Sequence, residues 1–254
     1  MHPYVEIGSL HIPSYGLCLV AGALFAFLLL LYTWRSRAVS RDDAYYTAIY
    51  AVIGGLIGAK LLYLIVELPS ILENPKILLG MIFGGAVFYG GLIGGIVGGF
   101  LYTRRYKTNV LDTADVLLPS LALAHAFGRV GCFFAGCCYG MACDSPISVV
   151  YPEGSYPPAG VPLLPTQLME AAFLLLLCGF LVLRLKKSAR RGEIAGWYAL
   201  LYGVWRFVIE FFRSDPRGSV WIFSTSQLIS LALIPVGIFL LLRAKKAAKA
   251  GDNA

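Results

Sequence analysis

Charged residues are scarce in this chain. Asp, Glu, Lys and Arg together make up 14% of its 254 residues, while 58% of the residues are hydrophobic. A soluble globular domain carries roughly 25% charged residues, so this chain lacks the polar surface that such a domain presents to water. The scarcity excludes an ordinary cytosolic enzyme and a disordered chain, and it favours a protein that lies in a lipid bilayer.

Basic residues are nevertheless in excess, and the formal net charge is +7. Such an excess can indicate a nucleic-acid partner. Here, however, fifteen of the 21 Lys and Arg residues lie in four clusters that each follow a long apolar run, which is the pattern that sets membrane orientation. We therefore expect no nucleic-acid partner. The clusters are Arg35, Arg37, Arg41; Arg104, Arg105, Lys107; Arg184, Lys186, Lys187, Arg190, Arg191; and Arg243, Lys245, Lys246, Lys249.

Seven apolar runs are long enough to cross a membrane, which takes about 20 residues. They predict an all-α polytopic membrane protein with seven transmembrane helices and a single domain over 1–254. The basic clusters follow the first, third, fifth and seventh runs, which places the N-terminus outside and the C-terminus in the cytoplasm. The first twelve residues lack the basic segment of a cleavable signal, so the first span is expected to remain. The runs are 14–33, 44–66, 77–103, 111–135, 166–184, 195–212 and 225–243.

The segment 136–165, between the fourth and fifth runs, lacks basic residues and holds six of the 13 prolines. It is too rich in proline for a helix and too long for a turn. We expect a small ordered extracytoplasmic cap inserted in the transmembrane domain, with a flexible connector as the alternative. Tyr139, Tyr151 and Tyr156 suit a layer at the membrane interface.

Glycine is concentrated in residues 54–99, which hold twelve of the 28 glycines. Most of them are expected to allow close helix packing. The pairs at 84–85 and 90–91 bracket Phe88 and Tyr89, and they are able to break the third span where the backbone lines a cavity.

Ionisable residues inside the spans are costly in lipid and therefore mark candidate functional sites. Arg206 and Glu210 are four residues apart and are expected to form a buried pair on one helix face. Two arginines at membrane depth suggest an anionic head group, because the guanidinium fork suits phosphate. The ligand expected is therefore a phospholipid. The other candidates are Lys60 and His125, which also have ordinary structural explanations, and Arg129 and Glu170. Gln167 lies three residues before Glu170 and projects with it from the outer end of the fifth run.

Several segments resemble the bacterial prolipoprotein diacylglyceryl transferase family. GRVGCFFAGCCYG at 128–140 resembles the family signature G-R-x-G-N-F-x-N-x-E-x-x-G. Four further segments are similar to family motifs in order and spacing, so the resemblance covers the whole chain. They are YGLCLVAG from Tyr15, YGGLIGG from Tyr89, PTQLMEA at 165–171 and LYGVWRFVIEFFRSD at 201–215.

The resemblance implies an enzyme of lipoprotein biosynthesis that moves the diacylglyceryl group of phosphatidylglycerol to the lipobox cysteine of a prelipoprotein signal peptide. It implies a thioether product, no cofactor, no metal and a location in the bacterial inner membrane. Arg129 and Arg206 would hold the phosphate and stabilise the charge of the leaving group. The expected catalytic residues are Arg206, Arg129, Tyr89 and Glu210, and the expected substrate-binding residues are Arg129, Arg206, Tyr15, Gln167, Glu170, Cys132, Cys137 and Gly140.

The chain departs from the family pattern at the positions expected to activate the thiol. Tyr89 stands where the family has His, and tyrosine is a poor base at neutral pH. Cys132, Ala135 and Cys137 stand where the signature has Asn, Asn and Glu. Two alternatives therefore remain: a paralogue with the same fold and different lipid or thiol chemistry at its cysteines, and a non-catalytic lipid-binding membrane protein. Within the leading hypothesis, Glu170, Glu210 or His125 would activate the thiol instead.

Four of the six cysteines lie within residues 132–143. Disulfides, packing of small side chains, a four-thiolate zinc site and a nucleophilic cysteine are all compatible with this spacing. Cys18 and Cys178 are isolated within spans and are expected to be packing residues.

Overall fold

The computed structural model describes residues 4–7, 10–74, 77, 80, 84–153, 155–188, 190–215, 219–220 and 222–251. The chain is mostly helical, as predicted. Within these described residues, five helices are long and apolar enough to cross a membrane, and they match five of the seven expected spans. They are Ser14–Ser36, Arg41–Val66, Val110–Ala135, Thr166–Lys187 and Thr225–Ala247.

The fold consists mainly of long helices, and short two-stranded hairpins lie in some of the segments that connect them. The third and sixth predicted spans correspond to α4 and α7, which have 18 and 17 residues and are not among those five helices. The helices are α1 Ser14–Thr33, α2 Arg41–Val66, α3 Leu68–Glu73, α4 Phe88–Arg105, α5 Val110–Ala135, α6 Thr166–Lys187, α7 Glu193–Ile209 and α8 Thr225–Gly251. The strands pair in antiparallel hairpins: β1 Tyr4–Ile7 with β2 Leu10–Pro13, β3 Val149–Val150 with β4 Pro162–Leu163, and β5 Ser219–Val220 with β6 Phe223–Ser224.

The chain divides into two compact units, Arg37–Thr113 and the pair of segments Met1–Ser36 and Ala114–Ala254. In the Arg37–Thr113 unit, α2 and α4 run antiparallel with their backbones in contact. A Cβ atom at Gly54 would lie 2.3 Å from the Gly94 carbonyl oxygen, and one at Gly58 would lie 2.3 Å from the Gly90 carbonyl oxygen. This is the close helix packing that the glycine-rich sequence predicts.

The third predicted span is not one continuous helix. Residues 84–87 are not helical, and α4 begins only at Phe88. The turn uses Gly85, whose φ of +68° suits a residue without a side chain. Lys60 of α2 donates from Nζ to the carbonyl oxygens of Gly84 at 2.6 Å and Gly85 at 3.3 Å. Lys60 therefore satisfies backbone acceptors that a continuous helix would have satisfied itself.

The larger unit is built on α5, α6, α7 and α8. Its apolar core contains Leu174, Leu177 and Leu181 of α6, together with Ala126 of α5 and Ile194 of α7. Glycines bring α7 and α8 into antiparallel contact, because a Cβ at Gly196 would meet Leu241 and one at Gly203 would meet Ile234.

A buried carboxylate fixes the start of α7. Asp115 of α5 accepts hydrogen bonds from the backbone N–H groups of Gly192 at 2.8 Å and Ala195 at 2.9 Å. These are donors that the first turn of a helix cannot satisfy itself, and the carboxylate also suits the positive end of the helix dipole. The contact ties α7 to α5 at the end opposite to the site described below.

The described part of segment 136–165 is packed rather than extended. Tyr139, Tyr151 and Leu163 form a small buried core around the β3–β4 hairpin. The expectation that Tyr139 and Tyr151 belong to an interfacial layer is wrong, because both rings are buried in this core, whereas Tyr156 is exposed. The backbone N–H of Met141 donates to the Phe212 carbonyl at 2.9 Å, which joins the segment to the chain that follows α7.

Candidate functional site

A buried ion pair links α5 to α6. The Arg129 Nη2 atom lies 3.0 Å from Glu170 Oε1, and the side chains are 12% and 1% exposed. The Tyr202 hydroxyl of α7 donates to the same carboxylate oxygen at 3.3 Å. The His125 ring packs edge-on against Tyr202 with centroids 5.4 Å apart, so His125 contacts an aromatic ring one turn before Arg129. Three helices thus converge on the Glu170 carboxylate.

A second buried ion pair lies at the end of α7. Arg206 Nη2 is 2.7 Å from Glu210 Oε2, which places the two side chains in the pair that their spacing predicts. The same nitrogen donates to the Ser226 hydroxyl of α8 at 2.7 Å. Arg206 is therefore held between its own helix and α8.

Arg213 joins the two pairs, and the sequence analysis did not single it out. Its Nη1 atom is 3.9 Å from Glu170 Oε2, and its Nε atom is 4.0 Å from Glu210 Oε2. Asp215 accepts from Arg213 Nε at 3.0 Å and Nη2 at 3.3 Å. Although burial opposes its charge, the Asp215 carboxylate raises the pKa of Arg213 above its ordinary value. The signal was present in the sequence, because Arg213 lies in the same segment, 201–215, as Arg206 and Glu210.

Each of the two predicted phosphate-binding arginines retains an unsatisfied donor. Among the described residues, Arg129 Nε and Arg206 Nη1 are buried and have no hydrogen-bond partner. A buried donor without an acceptor costs about 1–3 kcal/mol, so such atoms are normally satisfied by a protein group, water or a ligand. Both atoms suit an anionic oxygen ligand such as phosphate, which accepts from guanidinium groups strongly.

Glycine allows α1 to approach α5 beside this site. A Cβ atom at Gly131 would lie 2.9 Å from Tyr15 Cδ2 and 3.2 Å from Cys18 Cβ. Tyr15 is therefore close to the turn of α5 that carries Cys132, as its assignment to the substrate site requires.

Three cysteines form a compact group at the end of α5. The Sγ atoms of Cys132, Cys137 and Cys138 all lie within 4.8 Å of one another, and each residue is half-buried. Cys143 does not belong to this group, so the structure brings together three of the four clustered cysteines. Hydrogen bonds from the Cys132 and Cys137 thiols, with the positive charges of Arg213 and Arg129, lower the pKa of the Cys138 thiol. Among the described residues, these three cysteines form the group that could hold a metal ion.

The start of α6 holds this cysteine group in place. Gln167 Nε2 donates to the Cys137 carbonyl at 2.7 Å and to the Tyr151 hydroxyl at 3.1 Å. Thr166 Oγ1 donates to the Cys138 carbonyl at 2.9 Å. Gln167 and Glu170 lie one turn apart on α6, so the same helix positions both the cysteines and the Arg129 ion pair.

Gly140 contacts backbone atoms, and Tyr89 contacts an aromatic ring. A Cβ at Gly140 would lie 2.6 Å from the Leu164 carbonyl oxygen and 2.8 Å from that of Phe212, so this glycine allows close backbone packing beside Arg213. Tyr89 lies in the Arg37–Thr113 unit, where its ring packs edge-on against Phe88 with centroids 5.8 Å apart. Roles of Gly140 in substrate binding and of Tyr89 in catalysis stay predictions.

Comparisons with known proteins agree with the sequence motifs. A family model described as prolipoprotein diacylglyceryl transferase matches residues 3–243. The chain is 42% identical over 236 residues to phosphatidylglycerol–prolipoprotein diacylglyceryl transferase of Clostridium tetani, a match that covers 92% of this chain and 94% of the relative. It is 41% identical over 235 residues to transferase 2 of Clostridium perfringens, covering 92% of each chain. A transferase of Dehalococcoides mccartyi is 33% identical over 255 residues, covering 98% of this chain and 95% of its own.

Proposed function

The chain belongs to the prolipoprotein diacylglyceryl transferase family, and we propose that it transfers the diacylglyceryl group of phosphatidylglycerol to the lipobox cysteine of a prelipoprotein. In this reaction the thiol sulfur forms a bond to the glycerol carbon of the diacylglyceryl group. The carbon–oxygen bond to the phosphate breaks, and its electron pair leaves with glycerol phosphate. The product is a thioether, and the thiol proton must be removed because the thiolate is the nucleophile.

The observation that carries the proposal is the pair of unsatisfied donors on Arg129 and Arg206. Each guanidinium uses one side for a carboxylate and keeps another nitrogen for a ligand. In a buried site these donors hold the phosphate of the lipid and stabilise the charge that develops on its leaving oxygen. Glu170 and Glu210 act as positioning residues, because each fixes one arginine through an ion pair.

The proposal also includes seven membrane spans, and α4 and α7 supply the two beyond the five long helices. Helix α4 packs antiparallel against α2, and α7 packs antiparallel against α8, and both contacts support this. A helix that packs along the length of a transmembrane helix spans the same membrane. Helix α7 continues into a 3-10 turn, Glu210–Phe212, which adds length to its 17 residues. Residues 1–254 then form one membrane domain.

The basic clusters support the same topology. The clusters after α1, α4, α6 and α8 share the cytoplasmic side only if α4 and α7 both cross the membrane. This arrangement places the N-terminus outside and the C-terminus in the cytoplasm, and segment 136–165 becomes an extracytoplasmic cap over the ends of α5 and α6. The ion pairs of Arg129 and Arg206 then lie toward the outer leaflet, where a secreted prelipoprotein presents its cysteine.

Complementation tests the proposal. The chain is expressed in bacteria depleted of their own transferase, and a reporter prelipoprotein is examined by mass spectrometry for the added diacylglyceryl group. Restored modification by the wild-type chain, and none by Arg206→Ala at equal expression, is the expected result. No modified reporter at good membrane expression would point instead to a paralogue with another acceptor or to a lipid-binding protein.

A further inference from the structure

We propose that Cys132, Cys137 and Cys138 bind a zinc ion, and that the open fourth position of this ion takes the acceptor thiol as a thiolate. The second part rests on the proposed function, whereas the metal site itself does not. The three cysteines occupy a region where the family signature has polar residues, and the resemblance implies no metal there. The site therefore belongs to this chain's own sequence.

The geometry of the three sulfur atoms is close to that of a thiolate zinc site. Their Sγ atoms all lie within 4.8 Å of one another. Zn–S bonds of about 2.3 Å in a tetrahedral site place sulfur atoms roughly 3.8 Å apart, so rotation of half-buried side chains by about 1 Å closes the site. Thiolate sulfur is also a preferred ligand of zinc.

The backbone around the group is fixed before a metal binds. Cys132 lies on α5, and the carbonyl groups of Cys137 and Cys138 accept hydrogen bonds from Gln167 and Thr166 of α6. Cys138 has a φ of +64°, a left-handed conformation that few residues other than glycine adopt. The chain therefore turns at Cys138, directly after Cys137, within this group.

The surrounding charge suits a metal–thiolate group. One zinc ion with three thiolates carries one net negative charge, and a fourth thiolate adds another. Arg129 lies one helical turn before Cys132 on α5, and Arg213 pairs through its backbone with Gly140, two residues after Cys138. These two arginines place positive charge next to the metal group.

Three protein ligands leave one coordination position of a tetrahedral zinc open, as in catalytic zinc sites. A thiol that binds there gives up its proton to solvent, because metal coordination deprotonates a thiol. The resulting thiolate sulfur forms the bond to the glycerol carbon while the carbon–oxygen bond breaks and glycerol phosphate leaves with the electron pair. Zinc stays divalent throughout, so the step needs no oxidant or reductant. Zinc coordination therefore supplies the activation of the thiol. Tyr89, which stands where the family has histidine, is a poor base for that step.

Metal content measured on the purified full-length protein in detergent, prepared under reducing conditions, tests the site. We expect about one zinc per chain after equilibration with Zn²⁺ and gel filtration. Cys132→Ser, Cys137→Ser and Cys138→Ser should each lower the zinc content at least tenfold, whereas the matched control Cys143→Ser should keep it. Thermal unfolding of each variant separates loss of a ligand from loss of the fold. A wild-type protein that takes up no zinc, or variants that fold and keep it, would overturn the site.

Cobalt substitution tests the open position. With Co²⁺ in place of zinc, the sulfur-to-cobalt absorption bands should change when a lipobox peptide with its cysteine is added, and stay constant with the cysteine-to-serine peptide. Identical spectra with both peptides would overturn the thiol-binding part.

The zinc proposal and the proposed transferase function can be contradicted separately. Transfer that persists in full after a chelator removes zinc contradicts zinc activation and leaves the transferase function standing. Bound zinc without any transfer contradicts the function and leaves the metal site standing.

Discussion

Arg129 and Glu170 lie on different helices, and Arg129 Nη2 is 3.0 Å from Glu170 Oε1 in a buried contact. The pair uses one nitrogen of the guanidinium and leaves the buried Nε donor unsatisfied among the described residues. In Arg206, likewise, Nη2 contacts Glu210 and Ser226, whereas Nη1 has no hydrogen-bond partner among the described residues. These two unsatisfied donors are the basis of the proposed site for an anionic lipid head group.

Replacement of Arg206 by Lys tests the phosphate site most simply. A lysine keeps the positive charge but loses the planar fork, so we expect transfer to fall about 100-fold with little change in membrane insertion. The initial rate at several phosphatidylglycerol concentrations measures the effect. Arg243→Lys, at an exposed position near the end of α8, is the matched control and should retain wild-type activity.

Glu170→Gln tests the positioning role of the carboxylate. Removal of one partner of a buried ion pair costs about 3 kcal/mol, and Arg129 would lose its fixed orientation. We expect a lower melting temperature together with a raised KM for phosphatidylglycerol. Glu153→Gln, at an exposed position in segment 136–165, should change neither quantity. An unchanged KM in Glu170→Gln would show that Arg129 does not need this partner.

Gly58→Ala tests the packing of α2 against α4. The added Cβ would lie 2.3 Å from the Gly90 carbonyl oxygen, and since backbone atoms cannot rotate away, the helices must separate. Overpacking of this kind costs about 1–3 kcal/mol. Thermal unfolding in detergent should therefore show a lower melting temperature for Gly58→Ala than for the control Gly99→Ala. At Gly99 the added Cβ meets Thr47 Cγ2 at an ordinary 3.6 Å.

Glu193 gives stability a dependence on pH. Burial raises the pKa of this carboxyl, but hydrogen bonds from Ser188 and Arg184 outweigh burial and hold it below its ordinary value. A lowered pKa in the folded state means that the contribution to stability is present above the unfolded value near 4.5 and is lost as the pH falls through the folded pKa. The difference in melting temperature between wild type and Glu193→Gln should thus shrink as the pH is lowered from 7 toward 4. A constant difference would contradict this.

The features that the sequence predicts best are those set by local spacing. Arg206 and Glu210 form their pair because residues four apart share a helix face. The break before α4 follows from Gly85, which adopts a positive φ. Five spans follow from runs of apolar residues, whereas α4 and α7 are shorter than their hydrophobic runs.

Contacts between distant segments were beyond prediction from spacing. Glu170 meets Arg129 only after α5 and α6 pack, and Arg213 reaches both carboxylates only because the chain turns after α7. Among the clustered cysteines, spacing favours no particular grouping, and the folded structure groups Cys132 with Cys137 and Cys138. The burial of Tyr151 likewise depends on packing within segment 136–165.

The central claim is tested most directly by a transfer assay with purified protein. The assay contains phosphatidylglycerol labelled in its head-group glycerol and a lipobox peptide, and it measures both the mass of the peptide and the labelled glycerol phosphate released. We predict that the peptide gains one diacylglyceryl group for each glycerol phosphate released, and that a peptide with serine for cysteine gains none. Release of glycerol phosphate without a modified peptide would contradict the account. So would the absence of release by folded wild-type protein.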